Sequence, residues 1–241
     1  MKRRFLMTVV LICMCLAAYA VWPRPLAVDI HRDLELMVDA VTRTYRLVLP
    51  HDLPASAPIV FAFHGKGDSP ESMATYSQLD RLADDERFIL IYPEGMNGDW
   101  EISSREDSDK LNQDIDYFDK LLDYISDKHS VDRNRVYVVG FSNGASFARL
   151  LSYARPEKIA AVVAHSGPHN PNLSPPSNAP PLMMLVGEED FFAGAVKSDA
   201  EAIRQAGQVV EFISIPSLDH RWSVSHNAEI WQFLLQWSTG E

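Results

Sequence analysis

Gly140-Phe141-Ser142-Asn143-Gly144 sets a serine between two glycines, directly after the apolar run Arg135-Val136-Tyr137-Val138-Val139 and before a helical pattern. A strand that turns sharply into a helix at a serine lifts the hydroxyl to the tip of the turn. The helix start behind it then offers unpaired backbone N–H groups to a developing oxyanion. This is what nucleophilic attack on a carbonyl carbon requires. The bland alternative is an ordinary strand-to-helix turn with a capping serine. A serine hydroxyl also needs a base. His220, in Leu218-Asp219-His220-Arg221-Trp222, follows the last apolar run and precedes the C-terminal helical pattern. Its rival is His226, which would otherwise open that helix as a polar surface residue. The base needs an acid to fix its tautomer. The run Leu182 to Val186 ends in Gly187-Glu188-Glu189-Asp190; Asp190 is the first choice, and Glu188 or Glu189 could substitute.

The fourth element is Phe61-Ala62-Phe63-His64-Gly65-Lys66-Gly67-Asp68, where a His-Gly pair closes an apolar run. Such a loop supplies one oxyanion N–H, from Lys66, and Asn143 supplies the other. His64 reads as a structural histidine hydrogen-bonded under the loop. With Trp100, His165 and Trp222, each beside a strand end, it is also a candidate wall of the substrate pocket. His165 and His169 have the i, i+4 spacing of a helical metal pair. Gly167 and Pro168 between them argue against a helix, and no other ligand cluster accompanies them, so no metal site is expected. The chemistry outlined needs no cofactor.

These groups must be brought together by the elements between them. Leu34 to Val38 and Thr44 to Leu49 predict an opening antiparallel pair. Ile59 to Phe63, Phe88 to Tyr92, Val136 to Val139, Ala160 to Ala164, Leu182 to Val186 and Val209 to Ile215 are short apolar runs. Parallel strands covered on both faces read this way. Leu111, Ile115, Phe118, Leu122 and Ile125 put one apolar stripe on a helix, and Ile230, Phe233 and Trp237 repeat the spacing near the end. Met73 to Leu82, Ala145 to Tyr153 and Ala195 to Ile203 are shorter helical patterns. The alternation predicts an α/β fold: a mostly parallel central sheet of about eight strands with helices on both faces. In such sheets the ligand crevice lies beyond the carboxyl ends of the strands, where the candidate residues gather.

Composition sets the outer bounds. The 241 residues suit one domain, and 46% hydrophobic with 23% charged residues excludes general disorder. A formal charge of −11, from 22 Lys and Arg against 33 Asp and Glu, argues against nucleic-acid backbone binding, which needs a cationic face. Lys2, Arg3 and Arg4 precede an apolar stretch from Phe5 to Trp22 that contains Ala18-Tyr19-Ala20. This is the pattern of a signal peptide spanning residues 1–20, which implies a secreted or periplasmic protein. The alternative is an uncleaved membrane anchor over residues 5–22, the one route by which the chain would meet a membrane. Both cysteines lie inside this segment. Residues 21–33 read as a linker and residues 34–241 as the catalytic domain.

The chain resembles the polyhydroxybutyrate depolymerase and feruloyl/acetylxylan esterase branch of the α/β-hydrolases. The resemblance rests on Arg43-Thr44-Tyr45-Arg46, Phe63-His64-Gly65, Ile91-Tyr92-Pro93-Glu94-Gly95 with Trp100, Asp114-Ile115-Asp116-Tyr117-Phe118, Val131 to Tyr137, Gly140 to Ala145, Gly187 to Asp190 and His220-Arg221-Trp222. It implies a nucleophile at Ser142, an acid at Asp190, a base at His220 and an oxyanion loop at His64 to Lys66. The order Ser, Asp, His along the chain is that of the α/β-hydrolases. The 48 residues from Ser142 to Asp190 leave no room for a lid domain. The expected activity is that of an exported serine ester hydrolase acting through an acyl-enzyme, on a small-molecule, polysaccharide or polyester ester. The alternatives are a prolyl-oligopeptidase-type serine peptidase and a catalytically inactive surface binding module.

Overall fold

Which faces of the strands are apolar decides the architecture. In the computed structural model, which describes residues 24–103, 112–167 and 173–240, Ile59, Phe61 and Phe63 of strand β3 (Ala57–Phe63) point into one core and Val60 and Ala62 into another. All seven residues of β3 are buried, so the strand lies in the middle of a two-faced sheet. The remaining strands are β1 (Val28–Val38), β2 (Val41–Pro50), β4 (Ile89–Pro93), β5 (Val131–Phe141), β6 (Ala161–His165), β7 (Leu182–Gly187) and β8 (Val210–Ile215). They form one eight-stranded sheet in the order β1-β2-β4-β3-β5-β6-β7-β8. The β1–β2 and β2–β4 pairings are antiparallel and all others are parallel.

Helices cover both faces, as the alternation of patterns implies. On one side lie α3 (Gln113–Lys128), α4 (Asn143–Ala154) and α5 (Ala193–Gln205), which bury Phe118, Leu121, Phe147, Leu151, Val196 and Ala200. On the other lie α1 (Pro70–Ser77), α2 (Leu79–Glu86) and α6 (Asn227–Leu234), with Met73, Ala83, Trp231 and Phe233 inward. The Trp231 indole stacks on Phe88 with centroids 4.4 Å apart. Helix α3 starts at Asn112, whose side chain accepts from the N–H groups of Asp114 and Ile115. Its first turn carries Asp114 and Asp116 and its last turn Lys128, which complements the helix dipole.

Three expectations change. The stretch over residues 73–82 predicts one helix, but Gln78 takes a left-handed conformation (φ 54°) and divides it into α1 and α2. Residues 28–33, expected as linker, belong to β1, which pairs with β2 from Val28 onward across a register shift between His31 and Leu34. Trp237 continues the spacing of α6 but follows its end, where the Trp237 carbonyl accepts the Tyr137 hydroxyl at 3.0 Å. The signal segment, Leu111 and His169 lie outside the described residues.

A buried ion pair ties the antiparallel edge to helix α3. Arg43 donates to Asp114 Oδ1 at 2.7 Å and to the Glu94 carbonyl at 2.9 Å, and its guanidinium lies 4.1 Å from the Tyr117 ring centroid. Asp114 Oδ2 accepts the Glu101 N–H at 2.8 Å. Both side chains are almost wholly buried. Asp114→Ala would leave the Arg43 charge unpaired in the interior. The expected cost is about 3–5 kcal/mol of unfolding free energy, read from a denaturant midpoint.

Candidate active site

The parallel register aligns the strand ends. Phe63 pairs with Gly140, Phe141 with His165, His165 with Leu185, and Gly187 with Ile215. The chain segments that follow β3, β5, β6, β7 and β8 therefore emerge side by side. They bring Lys66, Ser142, Ser166, Asp190 and His220 to one edge of the sheet.

Ser142 sits at φ 55°, ψ −118°, outside the regions that non-glycine residues ordinarily occupy. It precedes α4, yet its side chain makes no capping hydrogen bond, so the capping-serine alternative does not hold. Its Oγ lies 3.1 Å from His220 Nε2 instead. His220 Nδ1 lies 2.9 Å from Asp190 Oδ2. Asp190 is buried; its Oδ1 accepts the Phe192 N–H at 2.8 Å. Burial pushes the Asp190 carboxyl up, but the Phe192 N–H, the Ser166 hydroxyl and His220 together outweigh this and hold it below the usual range. Glu188 and Glu189 are exposed. His226 is occupied elsewhere, with Nδ1 2.7 Å from the Ser223 hydroxyl.

Two backbone approaches hold these loops together. A side chain on Gly144 would come within 2.2 Å of the Phe63 carbonyl, so only glycine lets α4 start against the end of β3. The His64–Lys66 loop is thereby set beside Ser142. On the other side, a Cβ on Gly187 would come within 2.0 Å of the Leu218 carbonyl, so the loop bearing His220 packs directly on the end of β7.

The four residues expected to wall the pocket are corrected by their burial. His64 and His165 are wholly buried, and Trp100 and Trp222 are 3% and 6% exposed. They support the site from behind. His64 Nε2 accepts the Gly95 N–H at 3.0 Å, which leaves the proton on Nδ1 for the Gly65 carbonyl at 2.7 Å. Trp100 donates its indole N–H to the His64 carbonyl at 3.0 Å and stacks on Phe147 with centroids 4.9 Å apart. The Trp100 backbone N–H donates to the Asn143 side-chain oxygen at 2.9 Å. The Lys66 and Asn143 N–H groups have no other partner among the described residues; Asn143, as the first residue of α4, has none within the helix. The Lys66 ammonium is exposed and pairs with Asp99 at 2.8 Å.

Behind Asp190 runs a second chain of hydrogen bonds that the residue pattern does not announce. His165 Nε2 accepts the Ser223 N–H at 3.2 Å, so its proton resides on Nδ1, 3.0 Å from the Ser166 hydroxyl oxygen. Ser166, at φ 57° and wholly buried, then gives its own proton to Asp190. The His165 ring stacks on Trp222, centroids 5.1 Å apart. In sequence Ser166 follows a strand end and could line the pocket with His165; the structure instead buries it against Asp190. No group of three or more His, Cys, Asp and Glu side chains suited to a metal occurs among the described residues.

A family model described as phospholipase/carboxylesterase matches residues 44–238, nearly the whole of this sheet and its helices. The chain belongs to the phospholipase/carboxylesterase family. Curated relatives include NocK of Nocardia uniformis subsp. tsuyamanensis, which carries an esterase description and is 32% identical over 177 residues, covering 69% of this chain and 51% of that protein. Feruloyl esterase B of Thermothelomyces thermophilus is 34% identical over 125 residues, covering 50% of this chain and 43% of the relative. The bifunctional acetylxylan esterase/xylanase XynS20E of Neocallimastix patriciarum is 29% identical over 150 residues, 61% of this chain and 21% of the relative. The chain thus spans about half or less of these proteins. Among solved structures, a thermostable esterase superposes with a TM-score of 0.71 at 16% identity, covering 88% of this chain and 63% of the other. The fluorophosphonate-binding serine hydrolase FphF of Staphylococcus aureus gives 0.68 at 15% identity, covering 88% and 98%. At these identities the structures establish the α/β-hydrolase fold.

The His165 environment has a consequence for acid stability in this family member. Burial lowers its pKa from 6.5 to about 3, opposed by the nearby Asp190 charge and reinforced by His226 and His220. The unfolded chain therefore takes up a proton in this window that the folded chain refuses. The associated stability is complete above 6.5 and is lost as pH falls toward 3, by about 1.4 kcal/mol per pH unit. Between pH 7 and pH 5 the denaturant midpoint of the wild type should fall by an amount equivalent to roughly 2 kcal/mol more than that of His165→Gln.

Proposed function

We propose that the chain is a serine ester hydrolase that works through an acyl-enzyme. The observation that carries this reading is a single imidazole, His220, within hydrogen-bonding distance of both an uncapped, strained serine and a buried carboxylate. Neutral His220 takes the Ser142 proton at Nε2 as Oγ bonds to the ester carbonyl carbon. Asp190 accepts from Nδ1, keeps Nε2 free to act as base, and favours the imidazolium that forms. The Lys66 and Asn143 N–H groups receive the tetrahedral oxyanion. Collapse breaks the bond to the alcohol oxygen, which leaves with the proton from His220. Water then repeats the sequence on the acyl-enzyme and releases the acid.

The substrate follows by analogy with relatives named as feruloyl and acetylxylan esterases. An ester-substituted polysaccharide, or a small ester derived from one, fits that analogy. Residues 1–20 are read as a cleaved export signal that delivers the domain outside the cytoplasm, and the domain itself begins with β1 rather than at residue 34. No helix among the described residues is long and apolar enough to cross a membrane.

Incubation with a fluorophosphonate followed by peptide mass spectrometry should find the label on Ser142, and His220→Ala should abolish it. Ser142→Ala should lower kcat on a turned-over ester by about 10³-fold or more. Folded protein that takes up no label, or a Ser142→Ala loss below about tenfold, would overturn the assignment and favour a binding module.

A further inference from the structure

Phe191 is the most exposed large hydrophobic residue among those described, at 73%. Its neighbour Phe192 has a structural role, since its N–H holds Asp190 and its ring packs against the core. Phe191 has no such role. Its ring lies against the His220 imidazole, centroids 4.5 Å apart at 38°, and against Phe192 at 4.3 Å. Scattered surface hydrophobes are ordinary, but a bare aromatic ring touching a reacting group is informative.

Its place in the reaction follows from the geometry. The oxyanion lies toward Lys66 and Asn143. The leaving oxygen must come within reach of His220 Nε2, which protonates it. Whatever is bonded to that oxygen extends past the imidazole, where Phe191 stands. The charges nearby narrow the choice. Glu188 and Glu189 are exposed just before Asp190, and Arg221, the cation next to His220 in the chain, is paired with Asp219. Lys66 is paired with Asp99. An anionic alcohol meets a negative field here.

We infer that Phe191 is the alcohol-side specificity residue of the esterase proposed above, a platform for an uncharged alcohol with a flat, C–H-bearing face, supplied by an aryl ring or a sugar ring. Stacking on such a ring favours planar partners over flexible chains.

The test compares wild type with Phe191→Ala, Phe191→Leu and Phe191→Tyr on ethyl acetate, benzyl acetate, a monoacetylated methyl xyloside and O-acetyl-lactate. In wild type, benzyl acetate or the xyloside ester should be preferred to ethyl acetate, and O-acetyl-lactate should be the poorest substrate. Phe191→Ala should lower that preference, as a ratio of kcat/KM, by roughly threefold to tenfold, mostly through KM. Phe191→Tyr should restore it, and Phe191→Leu, apolar but not planar, should not. The arm that carries the loss identifies the aryl or the sugar ring. An unchanged ratio in Phe191→Ala, full preference in Phe191→Leu, or efficient turnover of O-acetyl-lactate would overturn the inference while leaving the esterase reading intact. Absence of both fluorophosphonate labelling and turnover of every ester by folded wild type would overturn the esterase reading, and this inference with it.

Discussion

The backbone of Ser142 is the constraint on which the site depends. A non-glycine residue at φ 55°, ψ −118° persists only if its surroundings leave it no alternative. They do so by crowding: the end of β3 fills the space a side chain on Gly144 would need, and Ser142 N–H is held by the His165 carbonyl at 2.9 Å. The hydroxyl is thereby pushed out to His220, and the first N–H of α4, like that of Lys66, has no partner among the described residues. A relaxed turn would cap the helix with the serine and turn its hydroxyl away from His220. The strain is held by the two-sided core around β3 and β5, where every residue from Val136 to Gly140 is buried.

The polar groups behind the site follow one rule. Each buried imidazole accepts from a backbone N–H at Nε2, and this fixes its remaining proton. His64 thereby locks the loop that presents Lys66, and His165 locks Ser166 toward Asp190. Neither ring is free to act as a base. In a low-dielectric interior a half-satisfied imidazole would be costly, whereas these networks rigidify both loops. His165 also spans two loops, because Ser223 follows His220 along the chain. Asp190 and His220 are thus registered against each other through buried neutral groups, and the side chains of Glu188 and Glu189 stay exposed.

Much of this was legible in the residue order alone, for a physical reason. Parallel strands buried on both faces must be continuously apolar, and the chemistry of such sheets sits at their carboxyl ends, so the runs ending near Phe63, Val139, Val186 and Ile215 pointed to His64–Lys66, Ser142, Asp190 and His220. What stayed hidden depended on long-range contact. Trp100 reads as an isolated aromatic residue until its indole N–H is seen under the His64 carbonyl, and Asn143 discloses its backbone but not its side-chain hold on Trp100. The break at Gln78 carries no glycine or proline to mark it. The alternation of β1 is interrupted midway, because residues 31–33 are all exposed at a register shift on an edge strand, and this separates Val28 to His31 from the pattern that begins at Leu34.

The buried frame and the open rim therefore answer to different pressures. Behind Ser142, His220 and Asp190, almost every polar atom has a partner and every aromatic ring is packed, so substitution there is felt as lost geometry or lost stability. In front, the described residues offer a bare phenyl ring, exposed carboxylates and a lysine already paired. Of the three phenyl rings around the His220 imidazole, Phe141 and Phe192 are half-buried and Phe191 is exposed, so Phe191 is the one that meets solvent most fully. The division also separates the two kinds of change available to this chain: the rim can be altered at little cost to folding, whereas the frame cannot.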